Sequence, residues 1–306
     1  MTGANEIRIG TRGSPLALRQ AGLLRDALLA RHPDMAVTIH PIVTTGDRVQ
    51  DRSLVELGGK GLFVKEIEEA LLAHHIDCAV HSLKDMPALG PDGLEIRAVL
   101  PRADPRDALI APGFAALSDL PPGAVIGTSS VRRQAQLRMA RPDCLFVPLR
   151  GNVETRLRKI TAGIAQATVL AQAGLLRLEL AERASAVFTA EEMLPAPSQG
   201  IIAVQARQGD ARTGMLLDDI DDRDTAIVAA AERACLAVLE GSCRTPLAAY
   251  ALREGDRIWL RGLIATPDGA RYHRAEGRAA SSEARALGEE IGRTLLAAGG
   301  PDFFRL

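Results

Sequence analysis

Residues 6–32 have the sequence EIRIGTRGSPLALRQAGLLRDALLARH. EIRIG is typical of a short strand, TRGSP of a turn, and the run that follows is typical of a helix. Ser14 is a suitable N-cap and Pro15 suits the first helical position, which predicts where the helix begins. A strand that leads directly into a helix is the repeating unit of an α/β fold.

The same alternation continues through the first two-thirds of the chain. Further strands are predicted at VTIHPIV, IDCAVHSL, AVIGTSS, CLFVPLR and ATVLAQAG, with helices at GLFVKEIEEALLAHH, VRRQAQLRMA and NVETRLRKITAG. A Pro/Asp-rich passage, PRADPRDALIAPG, separates two groups of strands. The pattern predicts two α/β lobes with parallel-rich sheets.

Beyond about Asp222 the pattern changes. One long helix leads to strands around PLAAYAL, RIWLRGLIA and ARYHRAEGRA, which EGD and TPDG turns join, and a final helix follows. This order predicts a small C-terminal α+β domain. A chain of 306 residues is long enough for two or three domains.

The composition excludes several classes of protein. Apolar residues make up 47% of the chain and the net charge is −1, so no basic field predicts nucleic-acid binding. MTGANEIRIG does not resemble a signal peptide, and no apolar stretch is long enough to cross a bilayer. The four cysteines lack the spacing of a metal site or a disulfide framework. We therefore expect a cytoplasmic protein without metal, membrane or nucleic-acid partner.

Three predicted strands end in the same way, with hydroxyl or amide caps and arginines. Each end places backbone N–H groups, a helix dipole and guanidinium groups at the carboxyl edge of a sheet, where α/β folds bind ligands. Three such ends predict a ligand with several negative groups, a polycarboxylate or a polyphosphate. The ends are GTRGSP with Arg12 and Ser14, GTSSVRR with Thr128, Ser129, Ser130, Arg132 and Arg133, and LRGNVETR with Arg150, Asn152 and Arg156.

Two further stretches bear on the type of chemistry. LGGKG, residues 57–61, lacks the Ser or Thr that a phosphate-binding loop needs after its lysine, so it is interpreted as a glycine hinge that carries Lys60. HSLKDMP, residues 81–87, places Asp85 beside Lys84 at the end of a predicted strand. Asp85 could stabilise a cation on a substrate or exchange a proton with it, and the alternative is an ordinary solvated ion pair.

The loop LEGSCRTPLAAY, residues 239–250, contains Cys243. Cysteines that only fill a core usually lie in apolar runs, as Cys78 and Cys144 do, or on a helix face, as Cys235 does. Cys243 instead lies in a Gly/Ser loop after a long helix. Packing therefore explains the other three cysteines but not this one.

Seven stretches in this order resemble the porphobilinogen deaminase family: GTRGSPLAL, GGKGLFVKE, AVHSLKDMP, GTSSVRRQAQL, LRGNVETRL, LPAPSQG and ERACLAVLEGSCRTPLAAY. The resemblance implies a cytoplasmic, monomeric transferase of tetrapyrrole and heme biosynthesis. It would condense four porphobilinogen molecules head to tail, with loss of ammonia, on a covalent dipyrromethane primer. Hydrolysis would then release linear hydroxymethylbilane.

The resemblance also implies an architecture. Two lobes of the periplasmic-binding-protein type would comprise residues 4–100 with 201–218, and residues 105–195. A third domain, residues 222–306, would carry the cofactor cysteine.

Residue roles are implied in the same way. Asp85 matches the catalytic aspartate, and Cys243 matches the thioether attachment point of dipyrromethane. Lys60 and Phe63 would lie in a flexible cover over the site. The residues implied for cofactor binding are Ser82, Lys84, Thr128, Ser129, Ser130, Arg132, Arg133 and Gly200. Those implied for substrate binding are Arg12, Ser14, Gln20, Arg150, Asn152, Arg156, Arg177 and Gln199.

The chain departs from the family pattern at a few positions. Ser198 replaces the first glycine of an expected Gly-Gln-Gly, which could change the freedom of a hinge. Gln205 stands where an acidic residue is expected, and Gln172 and Glu179 are also atypical. None of these positions belongs to the groups assigned to chemistry.

Two other functions are alternatives to this one. A non-catalytic two-lobe binding or sensor module for a polycarboxylate would explain the arginines equally well, but it has no use for Cys243 or for Asp85 among cations. A phosphate-sugar transferase would need a cluster of metal-binding carboxylates or a nucleotide loop, and the sequence contains neither.

Overall fold

The computed structural model describes residues 6–45, 64–239, 246–300 and Phe303. The described strands, in chain order, are β1 (Glu6–Arg12), β2 (Ala36–Ile42), β3 (Cys78–Ser82), β4 (Leu94–Val99), β5 (Asp107–Ile110), β6 (Val125–Gly127), β7 (Leu145–Val147), β8 (Ala167–Ala171), β9 (Ala186–Val187), β10 (Ile202–Arg207), β11 (Leu247–Glu254), β12 (Arg257–Ala265) and β13 (Tyr272–Ala280). The described helices are α1 (Pro15–Arg31), α2 (Lys65–Leu72), α3 (Val131–Ala140), α4 (Val153–Thr161), α5 (Gln172–Arg177), α6 (Ala211–Asp218), α7 (Arg223–Val238) and α8 (Ala284–Gly299).

Contacts along the chain divide it into two units. The first comprises Met1–Ala103 and Ile201–Ala226, and the second comprises Asp104–Gly200 and Ile227–Leu306. Most of the predicted C-terminal domain therefore groups with the second unit, although it keeps a sheet of its own.

The first unit contains a five-stranded sheet in the order β2-β1-β3-β10-β4. β1 pairs in parallel with β2 and β3, whereas β10 runs antiparallel to both of its neighbours. Leu24 and Leu28 of α1 pack on one face with Ile7 and Ile9. Ile67 of α2 packs in a separate apolar cluster with Ile76 and Ala79.

The second unit contains a sheet with the equivalent order, β7-β6-β8-β5-β9. β6 is parallel to β7 and β8, and β5 is antiparallel to β8 and β9. In each unit the antiparallel strand is the one that begins soon after the chain enters that unit from the other, β10 after Gly200 and β5 after Ala103.

Residues 246–300 form the antiparallel sheet β11-β12-β13, which α8 covers. A Cβ on Gly262 would come within 2.7 Å of Leu295, and one on Gly277 within 2.9 Å of Leu287. Glycine at these two positions therefore lets α8 approach the sheet closely.

The predicted class, two α/β lobes with a small α+β domain, is confirmed by this arrangement of sheets and helices. Several elements differ from the prediction. β5 lies inside the passage interpreted as a Pro/Asp-rich separator. The strand predicted at ATVLAQAG ends at Ala171, and α5 begins at the next residue, Gln172. β4, β9 and β10 were not predicted, because strand formation in these segments depends on the neighbouring strands that pair with them as well as on local pattern.

Candidate active site

In the first unit, the ends of two adjacent parallel strands meet at one edge of the sheet. β1 and β3 run in the same direction, with Ile9 opposite Cys78, so the ends of both strands lie at the same edge. Arg12 closes β1, and Ser14 then caps α1, because its hydroxyl accepts a hydrogen bond from the Ala17 amide at 3.3 Å. The predicted cap and the predicted Pro15 position are confirmed.

The segment that follows β3 carries Asp85. Gln20 of α1 donates to the Ser82 hydroxyl at 2.9 Å, and the Leu83 amide donates to the carbonyl of Ile201 at 3.0 Å. Leu83 is buried, whereas Asp85, at the end of the single 3-10 turn Leu83–Asp85, is exposed. The buried anchors therefore present a carboxylate to solvent at the edge that Arg12 also occupies.

In the second unit, β6 and β7 end side by side in the same way. Gly127 lies opposite Val147 in parallel register, and each strand leads into a capped helix. Ser130 caps α3 and Asn152 caps α4, the latter by accepting from the Thr155 amide at 2.8 Å. The two predicted strand ends are therefore confirmed as helix N-termini, which attract anions.

The hydroxyl and arginine groups around these caps have distinct environments. Ser129 is exposed and Arg150 half-buried, whereas Thr128 is buried and accepts from the Ser130 amide at 3.1 Å. Arg156 donates to the Gly151 carbonyl at 2.9 Å, which closes the loop after β7. Gly151 has a φ of 113°, where a side chain would be strained.

Arg132 and Arg133 point into the second unit and share one carboxylate. Arg132 Nη1 lies 2.7 Å from Asp107 Oδ2, and Arg133 Nη2 lies 2.7 Å from Asp107 Oδ1. The two guanidinium groups also donate to the carbonyls of Leu194 and Val169. Burial alone would raise the pKa of Asp107, but the two arginines hold it well below its usual range.

The segment Gln199–Gly200 lies against the same carboxylate. Gln199 Nε2 donates to Asp107 Oδ1 at 3.1 Å and to the Pro105 carbonyl at 2.7 Å. Arg177 Nη2 donates to the Gly200 carbonyl at 2.6 Å, and burial lowers the pKa of Arg177 to about 10. The structure therefore brings Arg132, Arg133 and Gln199 together through Asp107.

Sequence reasoning missed Asp107. The only signal was the stretch DALI within a Pro/Asp-rich passage, where an aspartate precedes a short apolar run. Its importance depends on two arginines that lie 25 and 26 residues further along the chain, and no local pattern links them. Lys60, Phe63 and Cys243, which the sequence assigned to the cover and the cofactor, lie outside the described residues.

Two family models match almost the whole chain. The model described as "Porphobilinogen deaminase, dipyromethane cofactor binding domain" matches residues 7–215, and "Porphobilinogen deaminase, C-terminal domain" matches residues 226–297. The chain belongs to the porphobilinogen deaminase family. This membership supports the transferase function predicted from the sequence and not the alternative of a non-catalytic binding module.

Full-length relatives carry the same family name. The porphobilinogen deaminase of Paracoccus denitrificans is 53% identical over 98% of this chain and 96% of its own length. That of Nitrobacter hamburgensis is 50% identical over 97% of this chain and 95% of its own length. The resemblance predicted from seven short stretches is therefore confirmed along nearly the entire sequence.

Solved structures match more distantly. The periplasmic VFT2 domain of BvgS from Bordetella pertussis is 12% identical, with a TM-score of 0.44 over 71% of this chain and 87% of that chain. A nutrient binding protein from Burkholderia cenocepacia bound to methionine is 13% identical, with a TM-score of 0.44 over 72% of this chain and 93% of that chain.

The residues of the second unit suit the cofactor of this family. Dipyrromethane carries carboxylates. The two buried guanidinium groups, of Arg132 and Arg133, share the single carboxylate of Asp107, so their combined positive charge exceeds the charge of that carboxylate by one. The N-termini of α3 and α4 add backbone donors at the adjacent sheet edge. Both features favour a polycarboxylate.

Across the described part of the chain, no helix has the length and apolarity that a membrane crossing requires.

Proposed function

We propose that this chain condenses four porphobilinogen molecules head to tail, with loss of ammonia, and releases hydroxymethylbilane, and that Asp85 is its catalytic carboxylate. One observation carries the assignment of Asp85: it is an exposed carboxylate on a turn whose neighbours, Ser82 and Leu83, are anchored by hydrogen bonds. A fixed carboxylate at a sheet edge is suited to stabilise positive charge that develops on a bound substrate.

The chemistry of porphobilinogen explains why a carboxylate is needed. When the C–N bond of its aminomethyl group breaks, the electron pair leaves with ammonia and the pyrrole becomes a cation. A carbon of a second pyrrole then attacks the cationic methylene, a C–C bond forms, and the attacking ring, which now carries the positive charge, must lose a proton from that carbon. Asp85 would stabilise the cation and could accept that proton.

Each porphobilinogen also carries an acetate and a propionate. We assign their recognition to the two edges that end in capped helices, Arg12 and Ser14 in the first unit and Arg150, Asn152 and Arg156 in the second. Guanidinium groups grip carboxylates in pairs of hydrogen bonds, and the helix N-termini add dipole attraction. Gln20, Arg177 and Gln199 remain predicted substrate contacts.

The cofactor would be held by Ser82, Lys84, Thr128, Ser129, Ser130, Arg132, Arg133 and Gly200, with Cys243 as the attachment point. When bound, dipyrromethane supplies the primer that the substrate units extend. Arg133 donates to Asp107 and to the Val169 carbonyl, so we assign it the role of supplying positive charge close to the N-terminus of α3. We further propose that the enzyme acts as a monomer in the cytoplasm, with residues 4–100 and 201–218, 105–195 and 222–306 as its domains.

The test replaces Asp85 by asparagine and measures porphobilinogen consumption. Loss of one preorganised electrostatic stabiliser costs on the order of 100-fold or more in turnover, so a folded, nearly inactive protein is expected. Asp92→Asn is the matched control, because Asp92 is an exposed aspartate seven residues further along the chain. Near-normal turnover in Asp85→Asn would remove Asp85 from the mechanism.

The attachment point is tested by mass spectrometry of the purified wild-type protein and of its peptides. A peptide that contains Cys243 and carries the added mass of two porphobilinogen units less two ammonias is expected. The same adduct on another peptide would move the attachment away from Cys243. A protein that carries no such adduct as purified, and that still gains no mass after incubation with porphobilinogen, would contradict the proposed function.

A further inference from the structure

Behind the strand that leads to Asp85, three polar side chains form a hydrogen-bonded row. His81 Nε2 lies 3.1 Å from Gln205 Oε1, and Gln205 Nε2 donates to Glu68 Oε1 at 3.0 Å. His81 and Gln205 are only 6% and 1% exposed, respectively. The row joins β3, β10 and α2, and the established family chemistry does not use it.

The acceptor at one end sets the hydrogen-bond direction along the row. The Glu68 carboxylate accepts, so Gln205 must present its amide nitrogen to Glu68 and its oxygen to His81. The His81 nitrogen that faces this oxygen, Nε2, must then carry the proton. A neutral imidazole in this tautomer has Nδ1 as an acceptor.

The surroundings of His81 favour the neutral form. Burial lowers the pKa of His81 to about 4, and although the hydrogen bond to Gln205 opposes this, the positive charge of Arg12 lowers it further. The nearby carboxylate of Glu68 is separated from the imidazole by the amide of Gln205, and burial raises the pKa of Glu68 itself. Gln205 therefore holds the ring without supplying a negative charge that would protonate it.

The position of His81 connects this row to the site. Its backbone lies opposite Ala203 of β10, and Ser82, the next residue, contacts Gln20 on the other side of the strand. The turn Leu83–Asp85 follows immediately. A positive charge on His81, in addition to that of Arg12, would weaken the electrostatic attraction between Asp85 and a cationic substrate.

We propose that His81 is a positioning residue for the Asp85 turn, held neutral and in its Nε2–H form by Gln205 and Glu68. This inference rests on the proposed role of Asp85. The neutral ring fixes the end of β3 through its bond to Gln205 and leaves the negative charge of Asp85 available to the substrate.

The first test is nuclear magnetic resonance of histidine labelled with ¹⁵N, with the His81 signal assigned by its absence in His81→Gln. Wild-type His81 should show the Nε2–H tautomer and stay neutral down to about pH 5. A His81 that becomes protonated near the usual histidine pKa of about 6.5, or that carries its proton on Nδ1, would overturn the proposal.

The second test exchanges the amide and the carboxylate in the double variant Glu68→Gln/Gln205→Glu. Net charge is unchanged, but the carboxylate now contacts His81 directly and should raise the pKa of His81. The ¹⁵N signals of His81 should then report protonation at a higher pH than in the wild type. Glu69→Gln, an exposed change on the same helix, should leave the titration of His81 as it is in the wild type.

A third pair of variants keeps the proposal testable if the double variant does not fold. His81→Gln can still donate to Gln205 and cannot become charged, so it should retain most turnover; His81→Phe loses the donor and should lose about tenfold. Equal turnover in His81→Phe and wild type, or a titration of His81 in the double variant that is unchanged from wild type, would overturn the inference alone. A wild-type chain without turnover would instead overturn the proposed function on which it rests.

Discussion

The two α/β sheets have the same strand order but use their aspartates in opposite ways. In the first unit Asp85 is exposed on a turn after β3, and hydrogen bonds to its neighbours hold that turn. In the second unit Asp107 opens β5, is 0% exposed, and is bonded to two arginines and Gln199. One topology thus supplies an exposed carboxylate, which we propose acts on the substrate, and a buried carboxylate that organises cations. The difference lies in burial and partners rather than in the fold.

The largest effect should follow from removing the buried carboxylate. Asp107→Asn leaves Arg132 and Arg133 buried without their anion, and breaking a buried ion pair costs about 3–5 kcal/mol in the free energy of unfolding. Denaturant unfolding of the purified protein measures it. Asp104→Asn is the control, because Asp104 pairs with the more exposed Arg106 and should cost less than about 1 kcal/mol. Equal losses in the free energy of unfolding for the two variants would show that burial does not make the Asp107 ion pairs more important than the Asp104 ion pair.

A smaller effect should separate two arginines of the same helix. Arg156 lies at the loop after β7 and is a proposed substrate contact, whereas Arg158 is exposed and lies near Thr155. Loss of a charge-assisted hydrogen bond to a carboxylate costs about 1.5–3 kcal/mol, so Arg156→Ala should raise KM by roughly tenfold or more. Arg158→Ala should leave KM unchanged, as steady-state kinetics with porphobilinogen would establish. Similar KM values for both variants would remove Arg156 from substrate binding.

The smallest effect concerns Ser198, which replaces an expected glycine. Its φ is 62°, its amide donates to Glu232 Oε2 at 2.5 Å, and its buried hydroxyl has no hydrogen-bond partner among the described residues. Ser198→Gly should therefore stabilise the protein by about 1 kcal/mol, because glycine adopts this backbone conformation without strain.

Ser198→Ala provides the comparison for that change. It removes the unpaired hydroxyl but keeps a Cβ at positive φ, so its thermal unfolding temperature should rise less than that of Ser198→Gly. A lower unfolding temperature for the glycine variant would show that the observed conformation is not strained.

Much of the site could be predicted because it is local in sequence. Ser14, Ser130 and Asn152 each cap a helix that starts directly after a strand, and the cap, the preceding strand and the following helix all lie within a few residues. The family stretches added Asp85 in the same way. Local hydrogen bonds decide these positions, so their signals are present in short windows.

The remaining features depend on contacts between distant segments. Asp107 meets Arg132, Arg133 and Gln199, and no short window contains all four residues. The hydrogen-bonded row is formed in the same way. His81 lies in β3 and Glu68 in α2, whereas Gln205 lies in β10, which follows a long segment of the chain that belongs to the second unit. In the sequence Gln205 is only a departure from the family pattern, and its contacts depend on the fold.

The sequence by itself determined the α/β class, the strand ends, the caps and the family, because periodicity, capping and motif spacing are properties of neighbouring residues. Only the tertiary structure decided which charges are buried and which remain exposed. The desolvation of a charge depends on every segment packed around it. The strands β5 and β10, which no local pattern predicted, bring those segments together.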